Sequence, residues 1–208
     1  MSAEAHNRVI AIDGPDGAGK SSQVKLLTEY FNMQGQTVHA TRMSGGTPIG
    51  EALRQVSLND DLPRSGQTDF YISRAMCQAL AEDINDRKSK EMIIIDRSPL
   101  AMVAYNAFAS QMTNKDEALM SCLDMVKSLQ IDTLIYLTAA QSILDKRREA
   151  RGNTDYFEKK GSDYHLHVRQ GYMAGLMYLK QSNLGVKVVE INAEPDKATV
   201  HQNILNEL

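Results

Sequence analysis

Cysteine is nearly missing from this chain of 208 residues: Cys77 and Cys122 are the only two, and neither lies in a Cys-x-x-Cys pair or a Cys/His ligand spacing. That excludes a disulfide framework and a zinc site, and two free thiols suit a reducing compartment. Long apolar runs are missing as well. No stretch approaches the ~18 residues of a membrane helix, and Met1 to Asn7 lack the apolar segment of a secretory leader. A cytoplasmic protein without a membrane partner is expected. Nor is there an excess of positive charge. The formal net charge is -3, whereas binding nucleic acid through bulk phosphate neutralisation wants a basic surface, so no nucleic-acid partner is expected. Repeats, low-complexity tracts and interdomain linkers are absent too. The chain reads as one domain over residues 1–208, large enough to bury a core.

What is present is an alternation of short apolar runs with longer helical patterns. Strands are expected at 8–13, 37–41, 91–96, 133–138 and 187–191. All but the second are nearly continuous apolar runs, as in parallel strands covered on both faces. Helices are expected near 19–34, 48–57, 67–88, 99–111, 115–129, 140–150, 162–182 and 195–207. The order implies a three-layer α/β domain, a five-stranded parallel sheet flanked by helices, with ligands beyond the C-terminal strand ends. The 11 methionines read as gap-filling core residues.

One such strand end carries Gly14-Pro15-Asp16-Gly17-Ala18-Gly19-Lys20-Ser21-Ser22, after the run Val9 to Ile12 and before the helical Gln23 to Leu27. This is G-x-x-x-x-G-K-[ST] between strand and helix, the setting of a phosphate-binding P-loop. Glycines let successive N–H groups point into one concavity, and the helix dipole adds positive potential. Lys20 can reach the β- and γ-phosphates, and the Ser21 hydroxyl can ligate Mg²⁺. A glycine-rich turn with a stray lysine is the bland alternative, and the flanking strand and helix argue against it.

A second strand end carries Asp96-Arg97. Beside a P-loop, an acid there is placed for the Mg²⁺ shell and an arginine for phosphate oxygens, rather than for a plain ion pair. A third cluster, Lys146-Arg147-Arg148 through Arg151-Gly152 to Lys159-Lys160-Gly161, is basic and bounded by glycines. A solvated helix end is the ordinary fate of such charges. A nearby phosphate site gives them another role, in a mobile lid at about 146–162 that brings arginines to the transferring phosphoryl group.

Together these segments make the chain resemble the thymidylate kinase family of P-loop nucleoside monophosphate kinases. Thr41-Arg42-Met43-Ser44-Gly45-Gly46-Thr47-Pro48-Ile49-Gly50-Glu51, with Arg54 after it, is similar to the family's T-R-E-P-G-G-T-P-x-G-E segment. Phe70 to Arg74 is similar to its F-x-x-x-R, and Asp96-Arg97 followed by Ala104-Tyr105-Asn106 to its D-R-Y and A-Y-Q. Ala150-Arg151-Gly152, Asp155 to Glu158 and Val168-Arg169-x-Gly171-Tyr172 resemble the lid and the helix after it. The matches run in order over residues 8 to 192.

The resemblance implies a three-layer P-loop NTPase fold with a lid, and ATP-dependent phosphorylation of dTMP to dTDP for dTTP synthesis, with Mg²⁺ and in a homodimer. Gly14 to Ser22 would hold the ATP phosphates, and Ser21 and Asp96 the metal. Asp16 would reach the acceptor's 3′-hydroxyl, and Arg54 and Arg97 would clamp its phosphate. Phe70 would stack on the base, and Arg74 would bond a base carbonyl. Tyr105 would pack on the deoxyribose, and Asn106 would take the place of a base-reading glutamine. Gly17 stands where one branch of the family has a P-loop arginine, so Arg147 and Arg151 of the lid would join Lys20 and Arg97 as the catalytic cations.

Departures gather on the base-reading side: Met43-Ser44 for Glu-Pro, Ser98 for the tyrosine of D-R-Y, Ala101 and Met102 where a hydroxyl is usual, and Met76 where a glutamine is expected. dTMP remains the expected acceptor. A deoxynucleoside kinase would share Asp96-Arg97-Ser98, but Arg54 suits an acceptor already carrying phosphate. A non-catalytic nucleotide-binding regulator would have lost Lys20, Asp96 or the lid arginines. A guanine-reading N-K-x-D segment is not present. His165 and His167 point apart on a helix and are read as packing or surface residues.

Overall fold

Five short strands, β1 (Val9–Asp13), β2 (Val38–Arg42), β3 (Met92–Asp96), β4 (Thr133–Thr138) and β5 (Lys187–Asn192), form one all-parallel sheet in the order β2-β3-β1-β4-β5. The computed structural model describes residues 8–59, 61–152 and 162–208, and of Arg151 and Ser162 only the backbone. Much of the expected lid, with Asp155 and Glu158, lies outside the described residues.

The central strands β1, β3 and β4 are buried along almost their whole length. Alternation splits their side chains between two cores. Val9, Ala11, Ile93, Ile95, Leu134 and Tyr136 face one, and Ile10, Ile12, Met92, Ile94, Ile135 and Leu137 the other. Each fully buried isoleucine contributes about 1.5–3 kcal/mol of transfer free energy. Of the edge strands, β2 is as open as its mixed sequence implied, whereas β5 departs from the expectation of full cover. β2 is half-exposed, and β5 alternates buried Val189 and Ile191 with exposed Lys187, Glu190 and Asn192, because no further strand covers either edge.

The first core is closed by α3 (Gly66–Arg87), α4 (Pro99–Met102) with its continuation, α5 (Lys115–Ser128) and α7 (Ser162–Gln181). The second is closed by α1 (Lys20–Met33), α8 (Lys197–Glu207) and Leu144 of α6 (Gln141–Arg151). The remaining helix, α2 (Pro48–Ser57), packs on α3 and is capped by the Thr47 hydroxyl, which accepts from the Gly50 N–H. Cys77 and Cys122 are free and 1% exposed, and burial pushes the Cys77 thiol up to about 12.

The helix expected over 99–111 is not a single α-helix. After Met102 it widens into a π-helix, Val103–Ala109, with bonds from Ser110 N–H to Tyr105 O (2.9 Å) and Met112 N–H to Ala107 O (3.0 Å). Such turns accompany functional sites, and this one carries Tyr105 and Asn106. α7 lies so close that a Cβ at Gly171 would stand 2.5 Å from Ala104 Cα, so the crossing requires glycine.

Candidate functional site: a phosphate loop shared by two clefts

The strand register makes the site. β1 and β3 pair with Ile12 opposite Asp96, so the loops that leave them start side by side. From β1 the chain turns at Gly14 (φ 143), where a Cβ would sit 2.3 Å from Leu137 O. It enters α1 through Gly19 in the left-handed region, with no side chain capping the helix. The first N–H groups of α1 are thereby left for an anion. From β3 the chain turns at Arg97 (φ 77), a conformation that costs a non-glycine residue about 1–3 kcal/mol. The Arg97 N–H bond to Ile12 O (2.8 Å) helps to hold it.

Four charged side chains meet there. Asp16 Oδ1 accepts from Arg97 Nη2 (2.6 Å) and from Lys20 Nζ (3.4 Å), and Asp16 Oδ2 accepts from the Tyr105 hydroxyl (2.6 Å). Lys20 Nζ also donates to Gly14 O (2.9 Å) and Pro15 O (3.0 Å). The Ser21 hydroxyl donates to Asp96 Oδ2 (2.5 Å). The Arg97 guanidinium carbon stands 5.3 Å from the Tyr105 ring centroid, in cation–π range.

Burial and charge oppose one another at these groups. Burial works to raise the Asp16 carboxyl, but Arg97, Lys20 and the Tyr105 hydroxyl together hold it well below the usual carboxylate range. Burial and the Arg97 cation lower Lys20. Burial and the Asp16 charge push the Tyr105 hydroxyl well up. Asp16 and Arg97 are therefore ionised and Tyr105 neutral at ordinary pH.

Two clefts open on either side of this cluster. One is lined by Asp16 to Gln23, Arg42, Asp96, Arg147 and the β5–α8 turn. The other runs between α2, α3 and the π-helix, and includes Met43, Ser44, Ser73, Met76, Ala101, Met102, Tyr105 and Asn106. Asp16, Met43, Arg54 and Arg97 belong to both walls. Arg54 Nη1 donates to Ser44 O (3.1 Å). The segment before it is braced by Glu51, which takes Arg42 Nη2 (2.5 Å) and the Gly46 N–H (2.8 Å).

The expected residues Gly17, Ala18, Gly19, Lys20, Ser21, Ser22, Arg54, Asp96, Arg97, Tyr105 and Asn106 thus converge. Gly14 and Pro15 do so through their carbonyls on Lys20. Two others do not. Phe70 is fully buried in the core and lines neither cleft. Arg74 turns with it and donates from Nη1 to the Ser121 hydroxyl on α5 (3.0 Å). The reason is helix phase: Asp69 and Met76 flank the core stripe Phe70, Cys77, Leu80, Ile84 on the cleft side, Ser73 lies within the stripe where the cleft reaches it, and Arg74 falls on the opposite flank. Arg147 lines only the P-loop cleft, and is drawn to the β5–α8 turn by the carbonyls of Ala193 (2.8 Å) and Glu194 (3.0 Å). The Arg151 side chain lies outside the described residues.

Sequence reasoning missed Ser73, whose hydroxyl accepts from Asn106 Nδ2 (3.1 Å), and Asp13, a buried carboxylate under the P-loop. A serine set within the apolar stripe of α3 is the signal that could have found the first. Arg148, expected only as a member of the basic cluster, stands beside His165 Nδ1 (3.3 Å) at a small cavity behind Asp16.

Comparison with known proteins agrees with this geometry. A family model described as thymidylate kinase matches residues 12–204. A thymidylate kinase of Helicobacter acinonychis (strain Sheeba) is 30% identical over 200 residues, covering 94% of this chain and 95% of its own. One from Campylobacter hominis is 29% identical over 198 residues, at 94% and 97% coverage. One from Bifidobacterium longum (strain DJO10A) is 31% identical over 172 residues, at 79% and 81%. The chain belongs to the thymidylate kinase family.

Proposed function

We propose that the protein transfers the γ-phosphoryl group of ATP to dTMP, giving dTDP and ADP. The observation that carries this reading is the shared wall: Asp16, Arg54 and Arg97 face both clefts, so two phosphates bound there meet at the same cations. ATP occupies the P-loop cleft, with its phosphates on the α1 N-terminus and Lys20. dTMP occupies the cleft between α2, α3 and the π-helix. An oxygen of its phosphate attacks the γ-phosphorus, the new P–O bond forms, and the β–γ bridging P–O bond breaks with its electrons on ADP. Lys20 and Arg97 stabilise the equatorial charge, and Arg54 holds the acceptor phosphate, so catalysis is positioning and charge neutralisation.

Ser21 and Asp96 present a hydroxyl and a carboxylate 2.5 Å apart on the cleft wall, hard oxygen donors of the kind Mg²⁺ prefers when phosphates supply the rest of its shell. When bound, the ion would neutralise phosphate charge there. Arg147 is assigned to ATP as a cation of the lid, because it lines the P-loop cleft. Arg151 is assigned to the transferring phosphoryl group, as the arginine of a lid at about 146–162 over a single domain.

The base end rests on Ser73 and Asn106 over a floor of Met76, Ala101 and Met102. Asn106 Nδ2 is engaged by Ser73, which leaves its carbonyl oxygen to accept from thymine N3–H. Tyr105 and Asp16 serve the sugar. Exposed apolar side chains on α5 and α7 (Met120, Leu166, Met173 and Met177) favour a homodimer, which sedimentation would test. Among the described residues no helix is long and apolar enough to cross a membrane. Two buried free thiols suit the cytoplasm.

The test is ADP release with Mg-ATP against dTMP, dUMP, dCMP, dGMP, UMP and thymidine. A clear preference for dTMP is expected. Thymidine as the better substrate would replace this reading by a nucleoside kinase. No turnover with any of the six would make the protein a nucleotide-binding regulator.

A further inference from the structure

The transfer described above leaves one buried carboxylate without a role. Asp13 is the last residue of β1, is closed to solvent, and takes its hydrogen bonds from neutral donors. The donors sort by oxygen. Asp13 Oδ1 accepts from the Gly14 N–H (2.8 Å) and the Tyr172 hydroxyl (2.9 Å), and the same hydroxyl lies 3.2 Å from Gly14 O. Asp13 Oδ2 accepts from the Ser98 N–H (2.9 Å) and the Ser98 hydroxyl (2.6 Å). One oxygen therefore serves the start of the P-loop and the other the residue after Arg97. Gly14 and Arg97 are the first residues off two adjacent strands, and both have positive φ. Each is attached, directly or through its neighbour, to this carboxylate.

We propose that Asp13 is a positioning residue that sets the ATP half of the site against the acceptor half, Oδ1 fixing the phosphate loop and Oδ2 fixing the backbone that aims Arg97. Only an acceptor-only group suits the place, because all four partners donate; a carboxamide would turn N–H against N–H or O–H. Tyr172 extends the device to α7, and Ser98 also caps α4 by accepting from the Leu100 N–H (3.2 Å).

This inference rests on the reading of the two clefts as ATP and dTMP sites, so the two ligands are titrated separately. Calorimetry with ADP and with dTMP would be run on wild type, Ser98→Ala, Tyr172→Phe and Asp13→Asn, with a melting temperature for each. Ser98→Ala should weaken dTMP about tenfold or more and leave ADP within about twofold. Tyr172→Phe should do the reverse, and Asp13→Asn should weaken both. Equal effects of the two single-hydroxyl variants on both ligands, or lower melting temperatures without any change in affinity, would overturn the proposal. If Asp13→Asn does not fold, the split between the other two still decides. Should wild type bind ADP but not dTMP, the acceptor reading fails. Asp13 is then judged on ADP alone, which Tyr172→Phe must weaken and Ser98→Ala must not.

Discussion

The guanidinium of Arg97 lies 2.6 Å from the carboxylate of Asp16, so the arginine that faces both clefts already has an internal counter-charge. Lys20 shares that carboxylate at 3.4 Å. Any phosphate bound at these cations, as proposed above, would meet them already paired with this carboxylate.

Removing either cation should stop the chemistry without dissolving the fold. Lys20→Ala and Arg97→Ala are expected to lower kcat by at least about 10²–10³ while the far-UV circular dichroism stays native. The ADP-release assay checks this, and near-normal kcat in either variant would remove that residue from the site.

Acid should act on the same cluster. The Asp16 carboxyl is lower in the folded protein than its ordinary value of 3.8, so its contribution to stability is complete above that value. It is lost as pH falls toward and through the folded value. Denaturant unfolding between pH 6 and pH 3 should show wild-type stability dropping more steeply than that of Asp16→Asn. Parallel curves would mean that Asp16 is not an acid-sensitive element.

Acceptor reading should track Ser73 and Asn106 more than Phe70 and Arg74. Ser73→Ala and Asn106→Ala are expected to lower kcat/KM for dTMP about fivefold, with the KM for ATP unchanged, since each removes about 1 kcal/mol of hydrogen bonding. Phe70→Leu should lower the melting temperature and leave the dTMP KM alone. A dTMP KM that rises for Phe70→Leu but not for Ser73→Ala would return base recognition to the aromatic ring.

Arg151→Ala should lower kcat far more than it raises the KM for ATP, the pattern of a contact made mainly in the transition state. Initial-rate kinetics at saturating dTMP settles it; an unchanged kcat would take Arg151 out of the transfer step.

The strands, the P-loop and the Asp96-Arg97 strand end were legible in the sequence because their signals are local: an apolar run, a spacing of glycines, an acid where the run stops. The facing of α3 was harder. Phe70 and Arg74 match a familiar pattern letter by letter, yet which side of a helix meets a cleft is set by packing at 100° per residue. The stripe of Phe70, Cys77, Leu80 and Ile84 carried that information. The π-helix left no compositional trace, since wider hydrogen bonding needs no special residue. The Asp13 contacts were invisible for another reason: they join positions 13, 98 and 172, which only the folded sheet and α7 bring together.

The widened turn at Val103–Ala109 gives this helix one residue more than an α-helix of the same span would hold. A single deletion just after Asn106 could therefore be absorbed by closing the turn, with both ends of the helix left where they are. Most helices would instead shift every later side chain by 100°. Loss of one codon beside the site is thus expected to leave the fold standing, and to change the direction of Tyr105 and Asn106 by length instead of by substitution.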